Sequence, residues 1–136
     1  MFSIFPQLFV YDQLAPLILR LAVGIIFVAH GYPKLFKNFG ATADFFGSVG
    51  LKPAKFWVAV VGISEFFGGI LLLIGFLTQI AALLIAITML VAMIYVNKIK
   101  FKKSLISGYE LDLILFAAAF ALIFLGPGAF AIDLPL

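Results

Sequence analysis

Long apolar stretches dominate the chain, and short polar stretches separate them. Four of the stretches approach the roughly 20 apolar residues that an α-helix needs to cross a hydrocarbon core about 30 Å thick. They predict membrane-spanning helices at about 14–32, 54–77, 79–97 and 109–125, the last of them ended by Gly126-Pro127-Gly128. The expected fold class is therefore all-α: an integral membrane, antiparallel four-helix bundle that forms a single domain over residues 1–136.

The connections between the predicted spans differ in length. Residues 75–79 leave room only for a tight turn between the second and third spans. The connection from Pro33 to Pro53 is longer, and its mixed apolar and polar residues at 42–49 predict a short helix that lies in the membrane interface.

The composition excludes an ordinary soluble domain. Hydrophobic residues make up 65% of the chain and charged residues 11%, against roughly 45–50% and about 25% in soluble proteins. A fold of 136 residues could not bury so much apolar surface. The lipid bilayer is therefore the expected partner of the apolar surface.

The lysines predict how the chain is oriented. All eight lie in two connections beside the predicted spans: Lys34, Lys37, Lys52, Lys55, Lys98, Lys100, Lys102 and Lys103. Lysine-rich loops stay in the cytoplasm, so both termini are expected on the periplasmic or extracellular side of a cell (inner) membrane. The net charge of +3 thus reflects topology, and we expect no nucleic acid partner. The tyrosines and the tryptophan agree, because each lies at a predicted span end, as is typical of aromatic belts: Tyr11, Tyr32, Trp57, Tyr95 and Tyr109.

Two predicted spans carry a charged residue well inside their ends, and the first also carries a histidine near its cytoplasmic end. A charge inside a bilayer is costly, so it usually faces other helices and has a partner. At 1.5 Å per residue, counted inward from the outer end of each predicted span, Arg20 lies roughly 9 Å, Glu65 roughly 18 Å and His30 roughly 24 Å deep. Glycines flank Glu65 and share a helix face with Arg20, which favours close packing of the two spans. We expect Arg20 to pair with Glu65, either as a functional site or only to fix helix packing.

A second polar group precedes the fourth span. Ser107 and Glu110 have the spacing of a capping box, in which the serine caps the helix and the glutamate reaches back to a backbone N–H. Asp112 is also favourable at a helix N-terminus. Alternatively, Glu110 and Asp112 line a cytoplasm-facing cleft with His30 and Lys34.

The ordered set of motifs along nearly the whole chain resembles the DoxX family of small bacterial and archaeal membrane proteins. The segments that carry the resemblance are Arg20-Leu21-Ala22-Val23-Gly24, Ala29-His30-Gly31 with Lys34-Leu35-Phe36, Phe45-Phe46, Gly50-Leu51-Lys52-Pro53, Glu65-Phe66-Phe67-Gly68-Gly69, residues 73–78, Gly108-Tyr109-Glu110-Leu111, and Gly126-Pro127-Gly128 with Ile132-Asp133.

The resemblance implies a link to quinones. The family takes its name from a subunit of a thiosulfate:quinone oxidoreductase, and its members are commonly described as quinone-linked oxidoreductases. By this analogy the matched polar positions surround a quinone or another lipid-soluble ligand. His30 and Glu65 would then be the catalytic residues, and Arg20, Lys34 and Glu110 would bind the ligand.

The residue types limit what redox chemistry the chain can perform alone. It has no cysteine and a single histidine, which excludes iron–sulfur ligation and paired-histidine haem within the chain, and we expect no metal site. A redox role therefore requires a diffusible quinone or a partner subunit that carries the redox centre. His30 could donate to a quinone oxygen, and Glu65 or Glu110 could exchange the proton.

Two other classes of function fit the same residues. One is a small proton-coupled transporter that uses Glu65, although a permanent Arg20 partner would argue against a glutamate that must be released during the cycle. The other is an assembly subunit without catalysis, in which the charge-free third span packs against a partner or a second copy in a homo-oligomer.

Overall fold

The computed structural model describes residues 3–133 and confirms the predicted fold class. Four of its helical segments are long and apolar enough to cross a membrane. A 3₁₀ helix at Pro6–Tyr11 precedes the bundle. The α-helices are α1 (Leu14–Tyr32), α2 (Phe39–Ser48), α3 (Ala54–Ile74), α4 (Thr78–Val91) and α5 (Glu110–Leu125). A short helix is thus present in the long first connection, as predicted.

The ends of the spans differ from the predicted ones where the backbone changes its winding. The first and third spans continue as π-helical turns, through Pro33–Lys37 and Ala92–Lys100. The second span ends at Ile74, three residues early, because Gly75 adopts a left-handed conformation with φ of 69°. The N–H groups of Gly75 and Phe76 then bond to carbonyls of the last helical turn, which stops the helix.

The helices pack in the order α1, α3, α4, α5, with α5 closing the bundle against α1 and α2 packing on α3. Glycines bring α1 and α3 together. A methyl group added at Gly24 would lie 2.9 Å from the carbonyl oxygen of Gly69, and one added at Gly31 would overlap the backbone of Phe66. Small residues permit this close approach between membrane helices, as the sequence predicted for these two spans.

The bundle has two distinct ends. At the lysine-rich end, formed by the connections 33–53 and 97–109, the Tyr95 hydroxyl donates to the Val49 carbonyl at 3.0 Å. At the Arg20 end, the C-terminal segment 126–133 folds over the bundle. Its Ala129 N–H donates to the Gln13 carbonyl at 3.0 Å, and its Asp133 N–H donates to the Gly75 carbonyl at 2.8 Å. The two lysine-bearing connections therefore share one end of the bundle.

Candidate ligand-binding site

Arg20 is fully buried, but its partners are backbone carbonyls. Its guanidinium donates to the carbonyls of Pro127 and Ala129 at 2.6 Å each and to that of Leu72 at 3.1 Å. The predicted pairing of Arg20 with Glu65 is therefore wrong. The physical reason is that Arg20 and Glu65 lie at different heights along the bundle axis. Arg20 lies in the first half of α1, about 21 Å along the helix from Lys34, which is the residue that reaches Glu65.

Glu65 is 2% exposed and pairs with Lys34, whose Nζ lies 2.6 Å from Oε2 of Glu65. The π-helical turn after α1 keeps Lys34 on a helical path beside α3. Gly62, one turn before Glu65, makes room for this approach, because a methyl group there would lie 2.7 Å from the Leu35 side chain. A buried carboxylate needs such a partner, since an unpaired charge inside the bundle would be strongly destabilising.

The Lys34–Glu65 pair lies in a cavity of about 600 Å³ toward the lysine-rich end. All five α-helices or their helical extensions contribute to its lining. Aromatic and aliphatic side chains form much of the wall, among them the buried residues Phe27, Phe46, Met89 and Leu115. The polar side chains in the lining are His30, Lys34, Asn38, Thr42, Glu65, Thr88, Asn97 and Asp112.

His30 lies on α1 one turn before Lys34, at the exposed surface of the helix. Its Nδ1 is 2.8 Å from the carbonyl oxygen of Ile26. A carbonyl can only accept a hydrogen bond, so Nδ1 carries a hydrogen and donates. The other ring nitrogen, Nε2, is then the acceptor in the neutral ring and becomes a donor only when the ring is protonated.

Asn97 and Asp112 form a second polar pair in the lining. The Asn97 amide, at the end of the third span, donates to Oδ2 of Asp112 in the first turn of α5. The structure thus brings Asp112 together with His30 and Lys34 in one cavity lining, as the cleft hypothesis expected of Asp112. The hypothesis is wrong for Glu110, which lies outside that lining. Sequence reasoning missed Asn97. The available signal was a single amide side chain at the inner end of an otherwise apolar span.

Glu110 is exposed and lies outside the cavity lining. Its Oε1 accepts a hydrogen bond from the Ser107 N–H at 3.2 Å, which is the glutamate half of the predicted capping box. The serine half is not formed, because Ser107 has a left-handed backbone with φ of 58° and no side-chain cap. The ligand-binding roles of Glu110 and Arg20 stay predictions from the resemblance.

The polar groups of the lining are of types that can form hydrogen bonds and exchange protons. Within residues 3–133 no group of three His, Asp or Glu side chains is placed to hold a metal ion. The lining combines an ammonium, two carboxyls, an imidazole, two amides and two hydroxyls with apolar walls. Such a site suits an apolar molecule with a few polar groups.

Comparison with known proteins gives one family and two relatives. The sequence profile of the DoxX family matches residues 15–98. The "Putative oxidoreductase CatD" of Bacillus subtilis (strain 168) is 35% identical over 121 residues, which cover 89% of this chain and 86% of the relative. The "Inner membrane protein YqjF" of Escherichia coli (strain K12) is 31% identical over 131 residues, which cover 90% of this chain and 92% of the relative. No solved structure matches the chain.

Proposed function

Since the chain belongs to the DoxX family of membrane proteins, we propose that it binds a quinone or a similar lipid-soluble ligand as a subunit of a membrane oxidoreductase system. The observation that carries the proposal is the apolar-walled cavity of about 600 Å³ with the Lys34–Glu65 pair in its lining. The name of the Bacillus subtilis relative, which describes an oxidoreductase, supports the same class of function.

The residues of the cavity match what a quinone ring requires. The ring and tail are apolar and need apolar walls, while each carbonyl oxygen needs a hydrogen-bond donor. The Lys34 ammonium supplies a donor, and so does His30 when its ring is protonated. Reduction to the hydroquinone takes two electrons and two protons. The electrons come from a redox centre on a partner protein. Glu65 takes up protons from water at the lysine-rich end and passes two of them, one after the other, to the ligand.

The proposal includes the orientation of the bundle. The positive-inside rule favours a cytoplasmic position for the end that carries all eight lysines. The cavity lies toward that end, so Glu65 would exchange protons with the cytoplasm. The relative from Escherichia coli, named as an inner membrane protein, supports the same membrane. Cysteine labelling from either side at positions 37 and 100 tests this, since both must react from the cytoplasm.

Mass spectrometry of molecules extracted from the purified protein tests the binding proposal. We expect an isoprenoid quinone in wild type and at least a tenfold loss in Glu65→Gln and in Lys34→Met. Asp44→Asn is the matched control, because Asp44 is an exposed carboxylate on α2 outside the cavity lining. A wild-type protein that carries no quinone, and takes none up when quinone is added, contradicts the proposal.

A proton-coupled transporter is the second candidate, and one observation favours it. One objection to this function was a permanent Arg20 partner for Glu65, and Arg20 bonds elsewhere. Lys34 is 24% exposed and can separate from the carboxylate. Proton release on adding a cationic substrate, lost in Glu65→Gln, would favour transport. If Glu65→Gln and Lys34→Met change only thermal stability, both functions are contradicted. The third class, an assembly subunit without catalysis, then fits best.

A further inference from the structure

The cavity has two polar pairs, and they come from different halves of the bundle. Lys34 and Glu65 belong to the α1–α3 half, and Asn97 and Asp112 belong to the α4–α5 half. The buried side chains of Phe27, Met89 and Leu115 also line the cavity. Four of the eight polar side chains in the lining therefore form two pairs, one from each half of the bundle.

Each pair joins one hydrogen-bond donor to one carboxylate. Lys34 donates from an ammonium to Glu65, and Asn97 donates from an amide to Asp112. The ammonium has three N–H groups and the amide has two, so each donor keeps at least one N–H for a ligand. Each carboxylate has further lone pairs and can accept from a ligand hydroxyl. The first turn of α5 also favours the negative charge of Asp112.

A donor paired with an acceptor suits a ligand oxygen that changes between a carbonyl and a hydroxyl. A quinone carbonyl only accepts hydrogen bonds, whereas a hydroquinone hydroxyl also donates one. A pair with a donor and an acceptor can hold either state without leaving a polar group unpaired. A ligand with a single polar end would use one pair only.

We infer that Asn97 and Asp112 form a second oxygen-binding subsite, so that the ligand is a ring with oxygens at two opposite positions, bound as the quinone and as the hydroquinone. The inference rests on the proposed function and extends it. Asn97 donates to the far oxygen of the quinone, and Asp112 accepts from the corresponding hydroxyl of the hydroquinone. Both are binding residues.

The test is binding of tail-matched probes to the full-length protein in nanodiscs. The probes are a decyl-tailed para-benzoquinone, its hydroquinone, and a phenol with the same tail. We expect Asp112→Asn to weaken hydroquinone binding roughly five- to tenfold and quinone binding less, because a hydrogen bond to a charged acceptor is the stronger one. Asn97→Leu should show the opposite preference, with the larger loss for the quinone. Asp44→Asn should bind all three probes as wild type does.

The opposite preferences separate ligand contacts from a folding defect, because a misfolded cavity would weaken both forms alike. The inference is overturned if Asp112→Asn and Asn97→Leu bind both forms as wild type does, or lose both equally, or if the phenol binds wild type as tightly as the hydroquinone. In those cases, loss of binding in Glu65→Gln would leave the proposed function intact. If neither the quinone nor the hydroquinone binds wild type, both the inference and the proposed function fail.

Discussion

The two buried charges of this protein are held in different ways. Arg20 is 0% exposed and donates to carbonyls of α3 and of the C-terminal segment. Glu65 is 2% exposed and has one ionic partner, the side chain of Lys34, which is itself partly exposed. Backbone carbonyls neither titrate nor rotate away, whereas a lysine side chain can leave. The contrast suggests that Arg20 holds the fold together and that Glu65 remains available for exchange.

The same contrast extends to the two ends of the bundle. At the Arg20 end, the segment 126–133 is bonded to α1, to α3 through the Ile132 N–H and the Ile74 carbonyl, and to the start of α4. At the lysine-rich end, the helices separate around the cavity, and contacts between α1 and α3 beside it depend on glycine. Changes at the first end should lower stability without a specific effect on the ligand.

Replacement of Arg20 should have the largest effect on stability. Arg20→Met leaves the buried carbonyl of Leu72 and the partly buried carbonyls of Pro127 and Ala129 without this donor. We expect a loss of about 3–5 kcal/mol in the free energy of unfolding. Arg20→Lys should recover little, because an ammonium cannot reproduce the fork of a guanidinium. Thermal unfolding in detergent measures both. If Arg20→Met were as stable as wild type and had lost only ligand binding, the assignment of Arg20 to stability and of Glu65 to the ligand would be wrong.

A methyl group at Gly31 should have the next largest effect. Gly31→Ala would drive Cβ into the backbone of Phe66 and push α1 away from α3 beside the cavity, at a cost of about 1–3 kcal/mol. Gly40→Ala is the matched control, since nothing lies within 4 Å of a methyl group at that helical position. It should be neutral or stabilising by up to about 1 kcal/mol. Equal melting temperatures for the two variants would show that the close approach is unimportant.

The smallest expected effect is a pH dependence of stability that comes from Asp133 at the Arg20 end of the bundle. Burial alone would raise the pKa of the Asp133 carboxyl, but hydrogen bonds from Thr78 and from the Leu77 N–H, with the charge of Arg20, lower it below its usual value. A lowered pKa in the folded state means that the carboxylate stabilises the fold above the ordinary carboxyl pKa of about 4. This stabilisation is lost as the pH falls through the lower, folded-state pKa.

Asp133→Asn should therefore melt lower than wild type at neutral pH and converge with it in acid. Thermal melts between pH 3 and pH 7 check this, since those values bracket the ordinary carboxyl pKa of about 4. A constant difference across that range would mean that the carboxylate charge contributes nothing. Asp12→Asn is the control, because Asp12 is an exposed carboxylate near the same end.

The fold was predictable because a bilayer imposes strong and local constraints. Hydropathy located the four spans, and Gly126-Pro127-Gly128 marked the end of the last one. The glycines around Glu65 predicted which two helices approach closely. The π-helical extensions were not predictable, since no residue type marks a change from α to π winding in an apolar stretch. They matter, because one of them carries Lys34 to Glu65.

The candidate site was only partly predictable. Glu65 and His30 were identified from residue type and depth, and Lys34 was identified from the cleft hypothesis and the resemblance. All three line one cavity. Arg20 was assigned to the wrong partner because its acceptors are backbone carbonyls, which every residue has and no sequence motif reveals. Asn97 was missed for a related reason. A lone amide at a span end usually contacts the headgroups, and only the packing of α5 shows that it meets Asp112.

The contacts of Arg20 also limit when this part of the fold can form during synthesis of the chain. Two of its acceptors, the carbonyls of Pro127 and Ala129, follow it by 107 and 109 residues. A ribosome makes all four membrane-spanning helices before it reaches these two residues. The Arg20 guanidinium therefore lacks those two hydrogen bonds in the nascent chain until α5 and the residues after it have been synthesised.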